Sequence, residues 1–349
     1  MKTVMNRIMV LFMVLFLVLS MSACGPSPLN EKVNESGTDK EASAKVNQET
    51  DFKPFVVQNY NRQLVIDEVP EAVFAVQTTN IETLIALGLQ EKIVGVAPGY
   101  DADFLPEYQE IYNSLNILGD NLVGGAGGYP SFEAVVNTKP DFIYGTSFSL
   151  GKTGTISPLE NIDKMGIATY INKPTDMLNA QMDDVYNEIL TLGRIFNVEG
   201  RASELVQNMS TKISGVQGKL GIIEEPVSVF VFDSEEEGMI FTAGTSLLSN
   251  LIKIAGGKNI FSDVNRNWLF ANNEKIIGSK PEIIVIVDYG EAGAEGKITS
   301  FKNNPLFAKL PAVVNDQFVV VNLNDVLPGT RNADCVEKLA KGFYPEKFK

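Results

Sequence analysis

Short apolar runs recur along the chain, separated by stretches in which apolar residues fall three or four positions apart. The short runs predict buried strands, and the longer stretches predict helices that bury one face. Strands are expected at 73–76, 92–96, 141–144 and 168–171, and again at 227–232, 281–287 and 318–321. Because helical patterns separate the runs, we expect parallel α/β layers in both halves of the chain.

The strand pattern stops between the two halves. Apolar residues recur at helical spacing from about residue 179 to residue 220, with no proline in the interval. The segment 197–200, which ends in a glycine, is the expected break between two helices. The second helix, from about Glu199 to Leu220, would span about 30 Å at 1.5 Å per residue and so connect two lobes. One kinked helix over the whole stretch is the alternative.

A similar motif occurs in both halves. Glu133 lies seven residues before Pro140, and Glu274 lies seven residues before Pro281. In both places a helical pattern leads through Lys-Pro and an acidic residue into a predicted strand. This internal similarity predicts two related lobes with a cleft between them.

The first residues have the pattern of an export signal. Residues 8–19 form an unbroken apolar run behind Lys2 and Arg7, and this run is shorter than the roughly 20 residues that span a bilayer. The following segment, Met21-Ser22-Ala23-Cys24, resembles the lipobox of bacterial lipoproteins, with Met21 where leucine is usual. The resemblance implies cleavage after residue 23 and a lipid on Cys24 that anchors the protein to the extracytoplasmic face of the cell membrane. An ordinary secreted protein is the alternative.

Residues 25–51 are polar, lack aromatic side chains and show no hydrophobic period, which is typical of a flexible tether. We therefore expect five parts along the chain. They are a signal peptide (1–23), the lipidated cysteine with its tether (24–51), an N-terminal α/β lobe (52–198), a connecting helix (199–220) and a C-terminal α/β lobe (221–349).

Composition narrows the possible functions. The 349 residues carry a formal net charge of −14, which disfavours nucleic-acid binding because such binding needs a basic surface. The chain has no histidine and two cysteines, Cys24 and Cys335. The commonest general base and metal ligand is therefore missing, and we expect neither a catalytic site nor a resident metal. No cofactor is expected to be bound covalently apart from the lipid.

Five segments, in order around the long helix, resemble the substrate-binding proteins of ABC importers for ferric siderophores, cobalamin and haem. The segments are 80–96, 130–141, 255–261, 268–282 and 328–339. The resemblance runs from about residue 62 to the C-terminus. It implies two α/β lobes bridged by one rigid helix, a ligand cleft between them, and an ABC permease with its ATPase as partners.

In that family an acidic residue on each lobe contacts arginines of the permease, and the matching positions here are Glu133 and Glu274. The alternative is that each glutamate only stabilises the N-terminus of its own helix.

Five residues are candidate ligand contacts. Arg266 and Arg331 lie in turn-rich segments, where binding residues concentrate, and a guanidinium pairs well with oxygens of an anionic iron chelate. Trp268, Tyr129 and Tyr289 offer aromatic faces to a flat ligand. A solvated surface charge is the alternative for each arginine, and packing is the alternative for each aromatic. The glycine-rich segment 124–128 is interpreted as a flexible loop of the cleft.

We expect a cell-surface binding protein that captures a small-molecule iron complex, a ferric siderophore, and not an enzyme. Cobalamin is the next candidate ligand. Haem is third because no histidine is present to ligate its iron, although tyrosine or methionine could serve. Two alternatives from other classes are a surface glycosidase, which needs a placed pair of carboxylates, and an adhesin.

Overall fold

The computed structural model describes residues 52–99, 102–119, 128–151 and 155–349. The predicted signal peptide, Cys24, the tether and most of the glycine-rich segment 124–128 lie outside these residues. Within the described ranges no helix is both long enough and apolar enough to cross a membrane.

Strands and helices alternate along both halves. The strands are β1 (Phe55–Asn59), β2 (Arg62–Ile66), β3 (Val73–Val76), β4 (Ile93–Ala97), β5 (Phe142–Gly145), β6 (Ala168–Ile171), β7 (Val227–Phe232), β8 (Ser234–Glu236), β9 (Met239–Ala243), β10 (Gly257–Asn259), β11 (Trp268–Phe270), β12 (Ile283–Asp288) and β13 (Phe318–Asn322). The helices are α1 (Thr78–Ala86), α2 (Pro106–Ser114), α3 (Phe132–Asn137), α4 (Leu159–Lys164), α5 (Met182–Ile195), α6 (Glu199–Leu220), α7 (Leu247–Ile254), α8 (Asn273–Ser279), α9 (Gly293–Asn303), α10 (Pro311–Val314), α11 (Leu323–Val326) and α12 (Asn332–Phe343).

Two four-stranded parallel sheets form the centres of the two lobes, and they share one strand order. The sheet of the N-terminal lobe has the order β4-β3-β5-β6, and that of the C-terminal lobe has the order β10-β7-β12-β13. In each sheet the strand that comes first along the chain lies between the next two. The chain therefore leaves that strand toward one side and later returns to its other side. Such switch points, at the carboxyl ends of the strands, are where open α/β sheets bind ligands.

The central strands are continuous apolar runs in the sequence because nearly all of their residues are buried. Every residue of β3 and β5 is buried, and so are Ile283–Val287 of β12. Helices cover both faces of a parallel sheet, so no position along its central strands faces water. The predicted fold class, two α/β lobes with parallel sheets bridged by a long helix, is confirmed.

Two helices occupy the region between the sheets, as predicted, instead of one kinked helix. Helix α5 ends at Ile195 and α6 begins at Glu199, and Asn197 between them has a φ of 54°. A Cβ on Gly193 would lie 2.4 Å from the Cβ of Ala202, so a glycine is needed where the two helices approach closely. The 22 residues of α6 pack against α5 and α12. The lobe boundaries assigned from sequence stay a prediction.

Two antiparallel elements are not predicted by the apolar pattern. One is the hairpin β1–β2, which is fastened to β6 because the Asn59 side chain both donates to and accepts from the backbone of Ile171, at 2.8 Å in each case. The other is a sheet with the order β11-β9-β8. Its β8–β9 turn consists of Glu237 and Gly238, whose φ values of 50° and 79° suit a two-residue hairpin turn.

A buried carboxyl group joins α5 to the sheet of the N-terminal lobe. Glu188 is only 5% exposed, and it accepts hydrogen bonds from the hydroxyls of Tyr144 at 3.2 Å and Tyr170 at 3.1 Å. Burial raises the pKa of Glu188 to about 8, and the two tyrosine hydrogen bonds oppose part of that rise.

This raised pKa predicts a pH-dependent stability. Between the ordinary value of about 4.5 and about 8, the unfolded chain has released the Glu188 proton while the folded chain keeps it. The free energy of unfolding should therefore fall as pH rises through this window, with a contribution of up to about 1.4 kcal/mol per pH unit. Urea unfolding of the Glu188→Gln variant at pH 5 to 8 should lack this contribution. Glu204→Gln, on the exposed face of α6, is the matched control, and an unchanged slope in Glu188→Gln would contradict the prediction.

Candidate ligand-binding cleft

A cavity of about 750 Å³ lies between the lobes at the carboxyl ends of the parallel strands. The N-terminal lobe lines it with residues that follow β3 and β5, and the C-terminal lobe with residues that follow β7 and β12. In chain order these are Gln77, Thr79, Thr146, Phe148, 233–236 and 289–292. Both switch points therefore open onto one cavity, whose volume suits a small-molecule ligand.

The antiparallel sheet β11-β9-β8 supplies an aromatic wall. Phe241 on β9 and Trp268 on β11 stack with ring centroids 6.1 Å apart and an interplanar angle of 16°. Phe148 of the N-terminal lobe also lines the cavity and is 55% exposed. Aromatic faces provide a large, rigid contact area for an apolar or flat ligand.

A cluster of polar groups forms the C-terminal wall. The Tyr289 hydroxyl donates to Oδ2 of Asp233 at 2.6 Å, while Nζ of Lys297 lies 3.9 Å from the centre of the Tyr289 ring and donates to the Val287 carbonyl at 2.5 Å. Burial raises the pKa of Asp233, and the Tyr289 hydrogen bond and the Lys297 charge oppose this rise. Burial lowers the pKa of Lys297, and the charges of Asp233 and Asp288 oppose that shift. The charges of this wall are thus arranged to compensate one another.

Gln77 has an unusual backbone conformation at the switch point of the N-terminal lobe. Its φ of 84° is rare for a residue with a side chain and costs of order 1–3 kcal/mol. The conformation is held because its N–H donates to the Ala97 carbonyl at 2.8 Å and its carbonyl accepts from Asn80 and Ile81. The side-chain Nε2 is buried and has no hydrogen-bond partner among the described residues. A buried donor of this kind beside a cavity is suited to an acceptor atom of a ligand.

The structure brings two of the five predicted ligand residues to the cavity, Trp268 and Tyr289. Tyr129 is half-buried and packs against a separate apolar cluster of the N-terminal lobe that includes Phe74 and Val135. Arg266 is exposed in the turn before β11 and does not line the cavity. Sequence reasoning missed Gln77 and Asp233, although each directly follows a predicted strand.

Arg331 lies in an interior ion pair, away from the cavity lining. It is 4% exposed, and its Nε and Nη2 donate to the two carboxylate oxygens of fully buried Glu82 at 2.7 and 2.6 Å. Its Nη1 lies 3.5 Å from Oδ2 of Asp103 and 3.7 Å from Oδ1 of Asp325. Since Glu82 is on α1 and Arg331 directly precedes α12, the pair joins the N-terminal lobe to the last long helix. The geometry thus gives Arg331 a structural role in place of the predicted ligand contact.

Glu133 and Glu274 occupy equivalent positions in the two lobes. Each is exposed in the first turn of the helix that leads into the third strand of its sheet, α3 before β5 and α8 before β12. Both helices are capped in the same way, because the side chains of Ser131 and Asn272 accept from the backbone N–H three residues later, at 3.2 and 3.1 Å. The sequence similarity between the halves is therefore a similarity of structure.

The chain belongs to the periplasmic binding protein family, whose model matches residues 73–322. The uncharacterized ABC transporter substrate-binding lipoprotein YvrC of Bacillus subtilis is 24% identical over 310 residues, which are 88% of this chain and 90% of that protein. The high-affinity heme uptake system protein IsdE of Staphylococcus aureus is 26% identical over 165 residues, which are 46% of this chain and 56% of IsdE.

Solved structures share the fold. A periplasmic binding protein from Veillonella parvula superposes with a TM-score of 0.75 and 25% identity, over 84% of this chain and 98% of that one. A structure described as an ABC-type Fe3+-hydroxamate transport system, from Saccharomonospora viridis, gives a TM-score of 0.70 with 22% identity, over 83% and 99% of the two chains. By its family and its likeness to YvrC, the protein is an ABC transporter substrate-binding protein, and members of this family are transport proteins, not enzymes. Substrate-binding proteins of ABC importers work with a permease and an ATPase.

The interior ion pair predicts how Arg331 variants behave. Arg331→Ala and Glu82→Ala should each lower the free energy of unfolding by roughly 3–5 kcal/mol, because each leaves one buried charge without its partner. The double change Glu82→Leu with Arg331→Met should cost much less than the sum, as measured by denaturant unfolding. Asp316→Asn, which removes the exposed ion pair with Lys302, should cost less than about 1 kcal/mol. An Arg331→Ala protein of unchanged stability that fails to bind ligand would instead favour the ligand contact.

Proposed function

We propose that the protein captures a ferric siderophore outside the cell and delivers it to the permease of its importer. The observation that carries this proposal is the cavity of about 750 Å³ at the two switch points, with an aromatic wall of Phe241 and Trp268. An iron chelate wrapped in organic arms is compact and partly apolar, so it suits such a cavity. The likeness to the Fe3+-hydroxamate transport structure supports the same ligand class.

Cobalamin is the second candidate, because an aromatic wall also suits its flat corrin ring. Haem fits this cavity less well. The chain has no histidine to ligate the haem iron. Tyr289 lines the cavity and could serve instead, but its hydroxyl already donates to Asp233, and that hydrogen bond would have to break before the oxygen could bind iron. Haem also carries two propionates, whereas Lys297 is the one cationic side chain among the described lining residues and it donates to a backbone carbonyl.

Fluorescence of Trp268, the single tryptophan of the chain, tests the ligand class. Ferric hydroxamates, ferric catecholates, ferric citrate, cobalamin and haem would each be added to the detergent-solubilised protein. We expect saturable quenching by one class of ferric chelate and none by the iron-free chelator, because Trp268 lines the cavity.

The Trp268→Phe variant is the control for the optical signal, which should be lost, and its binding heat in calorimetry measures the affinity that remains with the smaller aromatic ring in this wall. Saturation by cobalamin alone would replace the siderophore with the second candidate. Saturation by haem alone would contradict the argument from histidine and charge.

We also propose that the protein is anchored to the cell membrane by a lipid on Cys24. The lipobox-like segment 21–24 and the polar residues 25–51 support this arrangement. The relative YvrC is itself described as a lipoprotein. A tether of this composition would keep the folded body near the permease while leaving the cleft accessible.

We propose further that Glu133 and Glu274 bind arginines of the permease. Both carboxylates are exposed, and they occupy matching positions on the two lobes. A carboxylate pairs well with a guanidinium through two parallel hydrogen bonds. Two such contacts, one on each lobe, would orient the cleft over the permease.

Charge reversal tests this docking. Cells that carry Glu133→Arg with Glu274→Arg should lose most uptake of the ligand, because like charges would then meet at the interface. The purified variant should still bind ligand as the parent does, since neither residue lines the cavity. The control is Glu107→Arg with Glu204→Arg, two exposed residues on α2 and α6. Full uptake by the Glu133 and Glu274 double variant would show that these residues do not dock.

A further inference from the structure

We infer that the cleft selects its ligand by charge, admitting iron chelates of zero or positive net charge and discriminating against anionic ones. This inference rests on the proposed function and specifies the substrate class of that same cavity.

Acidic side chains outnumber basic ones among the described residues of the cavity lining. Asp233, Glu235, Glu236 and Glu291 line it, and Lys297 is the one cation among the described lining residues. The three glutamates are exposed, so their carboxylates face the solution from which a ligand arrives. Three of the four acids belong to one short stretch, Asp233 to Glu236, so their fields add at one side of the cavity.

Lys297 does not offset this charge. Its side chain is buried at 7% exposure, and its Nζ donates to the Val287 carbonyl at 2.5 Å. The charge of Asp233 acts on it from the same wall, and Asp233 in turn receives the Tyr289 hydroxyl at 2.6 Å. The lysine charge is therefore compensated within the wall. Among the described residues no basic side chain pairs with the three exposed glutamates, although Glu235 accepts a hydrogen bond from the Ser300 hydroxyl at 3.3 Å.

The arginines that would favour an anion are placed elsewhere. Arg331 is committed to Glu82 in the interior, and Arg266 does not line the cavity. The position of the arginines affects which siderophores can bind, because siderophores differ in charge. A ferric tris-catecholate carries several negative charges, whereas a ferric tris-hydroxamate core is neutral. Because no guanidinium belongs to the described lining residues, an anionic chelate would face repulsion there without a compensating ion pair.

The described polar residues that the N-terminal lobe contributes to the lining are uncharged. They are Gln77, Thr79, Thr146 and Thr175. The buried Nε2 of Gln77, which has no hydrogen-bond partner among the described residues, is a neutral donor suited to a carbonyl or hydroxamate oxygen. Uncharged donors on one side and carboxylates on the other match a neutral chelate core that carries a cationic substituent.

The test uses three ligands that differ in charge at one end. The ferric complex of a linear trihydroxamate with a free terminal amine carries +1, the N-acetylated complex is neutral, and the N-succinylated complex carries −1. Calorimetry with the full-length protein in detergent should show at least tenfold weaker binding of the −1 complex than of the neutral complex, and the +1 complex should bind at least as tightly as the neutral one. These ratios should shrink as salt rises, because the charges involved are exposed.

Variants separate charge from shape. Glu235→Gln with Glu236→Gln and Glu291→Gln should bring the affinities of the three complexes within about threefold of one another. The control is Glu224→Gln with Glu225→Gln and Glu346→Gln, which neutralises three exposed glutamates outside the lining and should leave the ratios unchanged. Equal affinities in the parent protein, or tightest binding of the −1 complex, would overturn the charge selection while leaving the siderophore function intact. Binding of none of the three, with saturation by a ferric catecholate in the Trp268 titration, would overturn the charge selection and leave the siderophore function in place. Binding of no ferric chelate in either experiment would overturn both proposals.

Discussion

The site depends on the burial of its central strands. Strands covered on both faces leave no position where a polar side chain meets water, so polar chemistry begins only where each strand ends. Gln77, Thr146, Asp233 and Tyr289 are each the first residue after a strand, namely β3, β5, β7 and β12. All four line the cavity. The shared strand order of the two sheets thus fixes both the position of the site and the residues that reach it.

Polar contacts join the two lobes beside the cleft, and one of them is buried. Glu82 on α1 and Arg331 at the start of α12 connect the N-terminal lobe to the last long helix. Near the entry to α5, the N–H of Asn179 donates to the Thr245 carbonyl at 2.9 Å, and the Asn250 side chain donates to that of Gln181 at 2.6 Å. Separating the lobes would expose or unpair these groups, which is costly for the buried ion pair in particular. Opening of the cleft would therefore have to break these contacts as well as bend or move helix α6.

Sequence periodicity predicted the parts of the fold that burial dictates. The bounds of β3, β6 and β7 agree with the apolar runs, and the repeated motif around Glu133 and Glu274 correctly indicated two related lobes. Sequence periodicity could not predict contacts between residues that are far apart along the chain. The partner of Arg331 lies 249 positions away, so the arginine was taken for a ligand contact. Glu82, an acidic residue inside an apolar helical pattern, was the available signal. The β8–β9 hairpin was missed because its residues Ser234 to Glu236 look like an exposed loop.

The use of the arginines explains why the cavity is acidic. Of the arginines within the described residues, four have structural partners. They are Arg62 with Asp163 and the Thr169 carbonyl, Arg194 over the ring of Phe55, Arg201 with the Gly88 carbonyl, and Arg331 with Glu82. The strongest cationic groups of an acidic chain therefore hold the fold together, while the described residues of the cavity lining include one buried lysine and three exposed glutamates. Recognition of a ligand by the described lining residues must then rely on shape, aromatic contact and neutral hydrogen bonds such as the one Gln77 can donate, because attraction of an anion would need a free cation and Lys297, their one cation, is paired within its own wall.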